Sequence, residues 1–245
     1  LLINTDNITS VGSTVFTKVN LSSSSSSSSG SGVFVAVGAA NRGAPASIVR
    51  STDNGSSFDN ATQNSAAEQL NAVTFGNNTF VAIGQANGSG QLDPILRSTD
   101  NGSSWDNVTS PNTNGLHGVN FGNNTFVVVG ADGNILRSTD NGSSWDNATS
   151  PTTGGLEGVT FGNNTFVAVG SSGNIVRSTD NGSSWDNVTS PTANGLNAVT
   201  FGHNTFVAVG GSGNIVRSTD NGSSWDNVTS GLPDHTNYEL NGVTF

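Results

Sequence analysis

An eleven-residue stretch, RSTDNGSSWDN, recurs along this chain and limits its fold more than any other feature. Four copies are identical, and a fifth differs only in carrying phenylalanine where the others carry tryptophan. The copies occupy residues 50–60, 97–107, 137–147, 177–187 and 217–227. A fixed period of roughly 20 to 50 residues indicates that each unit buries its apolar face only against its neighbours. The sequence therefore predicts one structural unit built five times.

The repeated stretch has the pattern of a strand, a tight turn and a second strand. Ile135 and Leu136 precede one copy as apolar strand residues, and Asp-Asn-Gly is a strong hairpin signal. We expect Asp140 to accept hydrogen bonds from the turn, Gly142 to adopt positive φ, and Trp145 to anchor the return strand. Each of these roles is structural.

The spacing of these residues resembles the Asp box, S-x-D-x-G-x-x-W, of the bacterial-neuraminidase-type repeat. That repeat occurs in sialidase-like and photosystem II assembly factor-like β-propellers, including bacterial and archaeal cell-surface propellers. In this family the box is a folding element at the blade rim, so the resemblance implies a fold and a structural role without an active site. The matching positions are Asp53, Gly55, Phe58, Asp100, Gly102, Trp105, Asp140, Gly142, Trp145, Asp180, Gly182, Trp185, Asp220, Gly222 and Trp225.

A full unit, such as residues 156–192, contains four strand candidates. Four strands over about 40 residues are typical of a propeller blade. The sequence therefore predicts an all-β fold, a five-bladed β-propeller of four-stranded antiparallel blades with Asp-box turns. We expect it to span residues 33–245, with repeats starting near residues 33, 70, 116, 156 and 196.

Two N-terminal segments lie outside this pattern. Residues 1–21 form a predicted strand-like arm, and residues 22–32 form a predicted Ser/Gly linker of flexible composition. The first residue is leucine, and no signal-peptide pattern follows it, which predicts a mature or excised segment.

The two ends of the repeat array suggest how the ring closes. The first unit lacks an inner strand of the LNAVTF type, and a surplus copy, LNGVTF, stands at residues 240–245. We expect this C-terminal strand to complete the first blade. Alternatively, residues 15–21 supply the missing strand, and the arm or LNGVTF pairs with an exposed strand edge of a neighbouring subunit.

Charge is scarce and mostly negative. Charged residues make up 10% of the chain, against roughly 25% in typical soluble domains, and the net charge is −10. The absence of a basic patch argues against a nucleic-acid partner, and no apolar run is long enough for a transmembrane segment. Repeated arginines could bind an anionic polymer, but we expect each to pair with a nearby aspartate or to pack its stem between blades. These arginines are Arg50, Arg97, Arg137, Arg177 and Arg217.

Sequons for N-glycosylation are frequent. The chain contains sixteen N-x-S/T motifs, and its lack of cysteine gives no information on compartment. With the family resemblance, they favour an extracellular or cell-surface location and a glycoprotein. The candidate acceptors are Asn60, Asn77, Asn107, Asn123, Asn147, Asn163, Asn187 and Asn227.

The catalytic residues of sialidases do not match this sequence. The repeated arginines are distributed around the ring, and the only tyrosine, Tyr238, stands next to Glu239 in an irregular link. Carboxylate-pair chemistry, as in other glycosidases, would need acids outside the repeat. These acids are Asp93, Asp132, Glu157 and Asp234.

Metal binding also lacks a pattern. Each Asp-Asn-Gly turn supplies one carboxylate, too few for a calcium loop, and the histidines His117, His203 and His235 are scattered. We therefore predict no catalytic residue, no cofactor and no metal site.

These observations favour a non-enzymatic, extracellular or cell-surface interaction module. We expect it to be a subunit of a larger surface assembly whose protein partners, including other copies of itself, bind through terminal strands. The alternative is a lectin-like, multivalent glycan-binding propeller. A glycoside hydrolase is the third and least favoured hypothesis.

Overall fold

A computed structural model describes residues 32–39, 46–63, 69–86, 92–111, 114–232 and 237–245. The predicted N-terminal arm and all but the last residue of the predicted linker lie outside the described residues, as do Asp234 and His235. Within the described part of the chain, no helix is long and apolar enough to cross a membrane.

The described residues form five successive sheets, here called blades 1 to 5. Blade 1 contains β1 (Phe34–Gly38), β2 (Ser47–Ser51) and β3 (Asp59–Asn60). Blade 2 contains β5 (Gln69–Gly76), β6 (Thr79–Gln85), β7 (Ile95–Ser98) and β8 (Ser104–Val108), with β4 (Thr62–Gln63) added in parallel at its outer edge. Blade 3 contains β9 (Leu116–Gly122), β10 (Thr125–Gly130), β11 (Ile135–Ser138) and β12 (Asp146–Asn147). Blade 4 contains β13 (Leu156–Gly162), β14 (Thr165–Gly170), β15 (Ile175–Ser178) and β16 (Asp186–Val188). Blade 5 contains β17 (Leu196–Gly202), β18 (Thr205–Gly210), β19 (Ile215–Ser218) and β20 (Asp226–Val228).

Each blade is an antiparallel meander, apart from the added strand β4. The predicted all-β propeller fold of four-stranded blades is thereby confirmed, with one blade of three strands. Because the strands alternate in direction, the inner hairpins and the Asp-box turns lie at one end of the blades, here called the lower face. The loops between second and third strands, and the links between blades, lie at the upper face.

The inner hairpins are tight because two consecutive residues take left-handed conformations. In blade 2 these are Asn77 and Asn78, with φ of 46° and 56°. Such two-residue turns match the right-handed twist of the strands, and asparagine tolerates positive φ better than most residues. Blade 5 has His203 and Asn204 in the same turn, with φ of 45° and 58°. The non-repeated His203 therefore occupies a turn position.

The hydrophobic core is divided into four clusters, each shared between two adjacent blades. The cluster between blades 2 and 3 takes Val81 and Ile83 from one blade, and Leu116, Phe126 and Trp145 from the next. Side chains on both faces of each interior sheet are therefore buried, although every blade is only one sheet thick. We call each such contact between blades a joint.

Close approach at the joints between blades 2 and 3, 3 and 4, and 4 and 5 depends on a glycine that ends the inner strand. A Cβ atom added to Gly122 would lie 2.1 Å from Cγ of Phe161, on the inner strand of the next blade. No side chain fits at that distance, so the aromatic ring of one blade lies directly on the glycine of the previous blade. The same relation holds for Gly76 with Phe121 and for Gly162 with Phe201.

The expected closing strand, residues 240–245, lies within the described part of the chain. In that part, the sheet of blade 1 comprises β1, β2 and β3, and no ladder joins residues 240–245 to it. The segment instead lies beside β17, where Asn197 Nδ2 donates to the Leu240 carbonyl at 3.1 Å. Phe245 lies on Gly202 as Phe161 lies on Gly122. The segment thus occupies the place of a next inner strand, and its pairing with the first blade stays a prediction.

Candidate interaction surface

The Asp-box turns use their carboxylates within the turn itself. In blade 5 the Ser218 hydroxyl donates to Asp220 Oδ1 at 2.8 Å. The Ser224 hydroxyl and backbone N–H donate to the two carboxylate oxygens of Asp220 at 2.6 and 2.9 Å. These bonds, led by that of the Ser224 hydroxyl, lower the pKa of Asp220 to about 2. The aspartate is therefore ionised and fully engaged as a turn cap.

The glycine and the aromatic residue of the box complete the same turn. Gly222 has φ of 78°, and its N–H donates to the Ser218 hydroxyl at 2.9 Å. The Trp225 indole N–H donates back to the Gly222 carbonyl at 3.2 Å, while its ring is 6% exposed. Blade 1 differs, because Phe58 at the tryptophan position is 48% exposed.

The repeated arginines connect neighbouring blades. Arg97 Nε donates to the carbonyl oxygen of Asn141, in the Asp-box turn of the next blade, at 2.7 Å. The other three bonds of this kind are Arg50 to Asn101, Arg137 to Asn181 and Arg177 to Asn221. The acceptor is a turn carbonyl and not the aspartate that the sequence suggested. The suggested packing of the arginine stem between blades agrees with the structure, since a Cβ on Gly142 would lie 3.8 Å from Arg97 Cδ. Arg217 in blade 5 is exposed and has no such acceptor among the described residues.

Asparagines form a second set of bonds between blades at the lower face. Asn123 Nδ2 donates to Asn164 Oδ1 at 3.2 Å and to Asn181 Oδ1 at 3.1 Å. Asn77 and Asn163, which are also predicted glycosylation sites, make corresponding bonds. Glycosylation of these three nitrogens would remove a donor of the network.

Other predicted acceptor asparagines lie on the outer strands. Asn187 and Asn227 are exposed, and each donates to a proline carbonyl in the link of the preceding blade, at 3.1 and 3.2 Å. Asn60, Asn107 and Asn147 are also exposed.

The upper face holds the one described ion pair between blades. His117 and Glu157 occupy the second position of successive inner strands, and Nδ1 of His117 lies 2.9 Å from a Glu157 carboxylate oxygen. The hydrogen bond to Glu157 raises the pKa of His117, and the same bond lowers the pKa of Glu157. Asn71 and Asn197 hold this position in blades 2 and 5. Asn71 donates to the carbonyl of Leu116 on the following inner strand, and Asn197 donates to the carbonyl of Leu240 in the terminal segment. The pair is thus a charged variant of a repeated polar contact.

The other described acidic residues outside the repeat lie in different environments. Asp93 is 3% exposed, and its Oδ1 accepts the Ala86 N–H at 3.1 Å. Asp132 is exposed at the tip of a 3₁₀ turn, with φ of 54°. Glu239 forms an isolated bridge with Gly211. Throughout the described ranges, no group of three or more His, Cys, Asp or Glu residues could hold a metal ion.

Exposed large apolar side chains gather at the two ends of the row of blades. Phe58 in blade 1 is 48% exposed, while Val228, Tyr238 and Phe245 at the blade 5 end are 37%, 40% and 73% exposed. Only Leu92, at 52%, lies elsewhere among the described residues. The two ends of the row are therefore the candidate interaction surfaces of the described residues.

The fold and these repeated turns define a β-propeller domain built from near-identical blades, as the sequence resemblance implied. A family model described as the DUF6242 β-propeller domain matches residues 56–194 and 110–241. The chain therefore belongs to the DUF6242 β-propeller family. No curated protein shows a significant match.

Solved structures show the same fold at low identity. A structure described as YCF48 bound to D1 peptide has a TM-score of 0.59 and 19% identity, and the match covers 82% of this chain and 65% of that chain. The structure of YCF48 from Cyanidioschyzon merolae has a TM-score of 0.56 and 16% identity, and the match covers 80% of this chain and 66% of that chain. The structure of a GH74 enzyme from Niastella koreensis has a TM-score of 0.55 and 24% identity, and the match covers 80% of this chain and 29% of that chain. The chain thus spans less than two thirds of the length of each of these proteins.

Proposed function

We propose that this chain is a non-enzymatic interaction module that joins a larger protein assembly through the two ends of its row of blades. The exposed apolar residues at those ends carry the proposal, because burying Phe58, Tyr238 and Phe245 would remove three exposed aromatic side chains from water. The terminal segment 240–245 adds a strand-like edge at one end.

The polar residues of the repeat support an assembly role over a chemical one. The Asp-box carboxylates cap turns, and four of the five repeated arginines bind turn carbonyls of the next blade. These aspartates and arginines are therefore engaged in holding turns and neighbouring blades together. The YCF48 structure bound to a peptide shows that a propeller of this kind can bind a protein segment. One structural neighbour is an enzyme, but at 24% sequence identity its similarity to this chain concerns only the fold.

We further propose that the module acts outside the cell or at its surface. Support comes from the exposed asparagines of the outer strands and from a surface rich in Asn, Ser and Thr. Secreted expression followed by intact-mass analysis would show added sugar if this holds. The substitution Asn187→Gln is expected to reduce the added mass by that of one glycan. A secreted chain at its unmodified mass would contradict the glycoprotein part of the proposal.

Deletion of residues 240–245 tests the assembly function. We expect the 245-residue chain to associate in a concentration-dependent manner by light scattering, and the deletion to weaken association at least tenfold. Leu92→Ser is the matched control, since it removes an exposed apolar side chain away from both ends. A strictly monomeric parent chain, with no effect of the deletion, would overturn the proposal.

A further inference from the structure

The joint between two blades is a defined interface that the chain forms four times. At the joint of blades 2 and 3, Val81 and Ile95 of one blade pack in a cluster with Phe126 and Trp145 of the next. Val81 also contacts the Asp-box glycine, since a Cβ on Gly142 would lie 3.0 Å from Val81 Cγ2. The arginine bond to the turn carbonyl closes the lower end of the same interface.

Blade 5 presents one half of this joint without its partner. We define the tail face as Val207, Ile215 and Arg217 together with residues 237–245. Val81, Val127 and Val167, the counterparts of Val207, are completely buried, whereas Val207 is partly exposed. Ile215 is likewise partly exposed, while its counterparts Ile95, Ile135 and Ile175 are each 1% exposed.

Blade 1 presents the other half. We define the head face as Phe34, Ala36, Val49 and Phe58 together with the turn Asn54–Gly55. Phe126, Val128 and Leu136, the counterparts of the first three residues, are completely buried, whereas Phe34, Ala36 and Val49 are partly exposed. Gly55 is exposed and a Cβ on it would have nothing within 4 Å, although each of the other four Asp-box glycines lies against a valine.

The terminal segment supplies what the head face lacks. Among the described residues, blade 1 has no inner strand, and residues 240–245 lie on blade 5 in the position of a next inner strand. In the interior blades the inner-strand phenylalanine stacks on the second strand, as Phe121 does on Phe126 with ring centroids 4.6 Å apart. Phe245 contacts His203 on its own blade and is 73% exposed, and Phe34 on blade 1 holds the second-strand position of Phe126.

We infer that the tail face of one copy docks on the head face of a second copy of this chain, forming a fifth joint of the same geometry. Arg217 of one copy then donates to the Asn54 carbonyl of the other, Val207 packs on Gly55, and residues 240–245 become the inner strand of the second copy's blade 1. The contact is heterologous, so it links copies head to tail into a ring or a filament according to the rotation at each joint. This inference rests on the proposed function and identifies the binding partner as a second copy of this chain.

Complementation between two damaged copies tests the inference. Phe58→Asp places a charge on the head face and leaves the tail face intact, while Val207→Asp does the reverse. By light scattering, we expect each variant alone to be monomeric at concentrations where the parent chain associates. Mixed one to one, they should form dimers that grow no further, because each mixed pair has only one intact joint.

Two further variants keep the test independent of folding defects. Leu92→Asp adds the same charge at an exposed apolar position away from both faces, and it should associate like the parent chain. Arg217→Ala changes an exposed side chain and should weaken association at least tenfold while leaving near-ultraviolet circular dichroism unchanged.

The outcomes separate the two proposals. Dimers in the mixture support head-to-tail docking. Association of the parent chain that survives both aspartate substitutions, or a mixture that stays monomeric, would overturn the inference and leave the assembly function standing. A parent chain that is monomeric at all concentrations would overturn both.

Discussion

At the scale of single residues, the Asp-box aspartate shows how one side chain stabilises a turn. Asp220 accepts bonds from two hydroxyls and a backbone N–H while remaining largely in contact with solvent. A carboxylate held by such donors is favoured in its ionised form, so its pKa falls. The aspartate at this position in blade 1, Asp53, also has its pKa lowered to about 2, with the Ser57 hydroxyl as the first cause.

We predict that acid weakens this fold through these aspartates. Because the folded-state pKa of Asp220 is about 2 and its ordinary value is 3.8, its stabilising effect is present above pH 3.8 and is lost as the pH falls toward 2. Asp220→Asn should lower the free energy of unfolding by about 1 kcal/mol at pH 5. It should also lose less stability than the parent chain between pH 4 and 2, by urea unfolding. Parallel pH profiles for the two proteins would contradict this role.

The sequence predicts the contacts within each repeated turn but not the hydrogen bonds between blades. The hydrogen bonds of the box aspartate and the positive φ of the box glycine lie within one turn, so their spacing alone predicts them. Arg97 bonds to a carbonyl 44 residues away, and backbone carbonyls carry no sequence signature. The pairing of His117 with Glu157 was likewise missed, although both occupy the second position of an inner strand, a register that could have revealed it.

At the scale of elements, the joint between blades depends on glycine at the Asp-box turn. Gly182 has φ of 77°, and a Cβ there would lie 2.9 Å from Val127 Cγ2 of the preceding blade. Gly55 has φ of 83°, but open space surrounds it. The two positions share a backbone conformation and differ in packing.

We predict that alanine substitutions at Gly55 and Gly182 separate the cost of the backbone conformation from the cost of packing at the joint. Gly55→Ala should cost about 1 kcal/mol, the strain of a left-handed alanine. Gly182→Ala should cost about 1–3 kcal/mol more, because the added methyl overpacks the joint. Urea unfolding of both variants under dilute, monomeric conditions measures the difference. Equal costs at the two sites would mean that the joint tolerates the methyl group.

The ion pair between β9 and β13 should make one joint pH-dependent. The pKa of His117 is raised, so its contribution is full below about 6.5 and is lost as the pH rises through the folded-state value. The pKa of Glu157 is lowered, so its contribution is present above its ordinary value of 4.5 and fades in acid. The pair therefore stabilises the fold most between these limits.

His117→Asn is the matched substitution, because asparagine holds this position in blades 2 and 5. We expect the variant to be less stable than the parent chain near pH 5.5, by up to about 1 kcal/mol for a partly exposed pair. The difference should shrink at pH 8. Chemical unfolding at both pH values checks this, and a difference that does not change with pH would argue against the ion pair.

At the scale of the whole molecule, the five blades are joined in a regular series. Four core clusters join successive blades, and no cluster or ladder joins blade 5 to blade 1 among the described residues. The number of blades and strands followed from the repeat. How blade 5 meets blade 1 stays a prediction, because the rotation from blade to blade is set by side-chain packing at each joint, which the repeat pattern does not encode.

Electron microscopy of the purified chain, with intact-mass analysis of the same sample, tests the central claim most directly. We predict particles in which the row of blades continues from one copy into the next, with residues 240–245 completing a neighbour's blade 1. Isolated particles of five blades at every concentration would contradict the account, and they would show that the two faces have no partner in this chain.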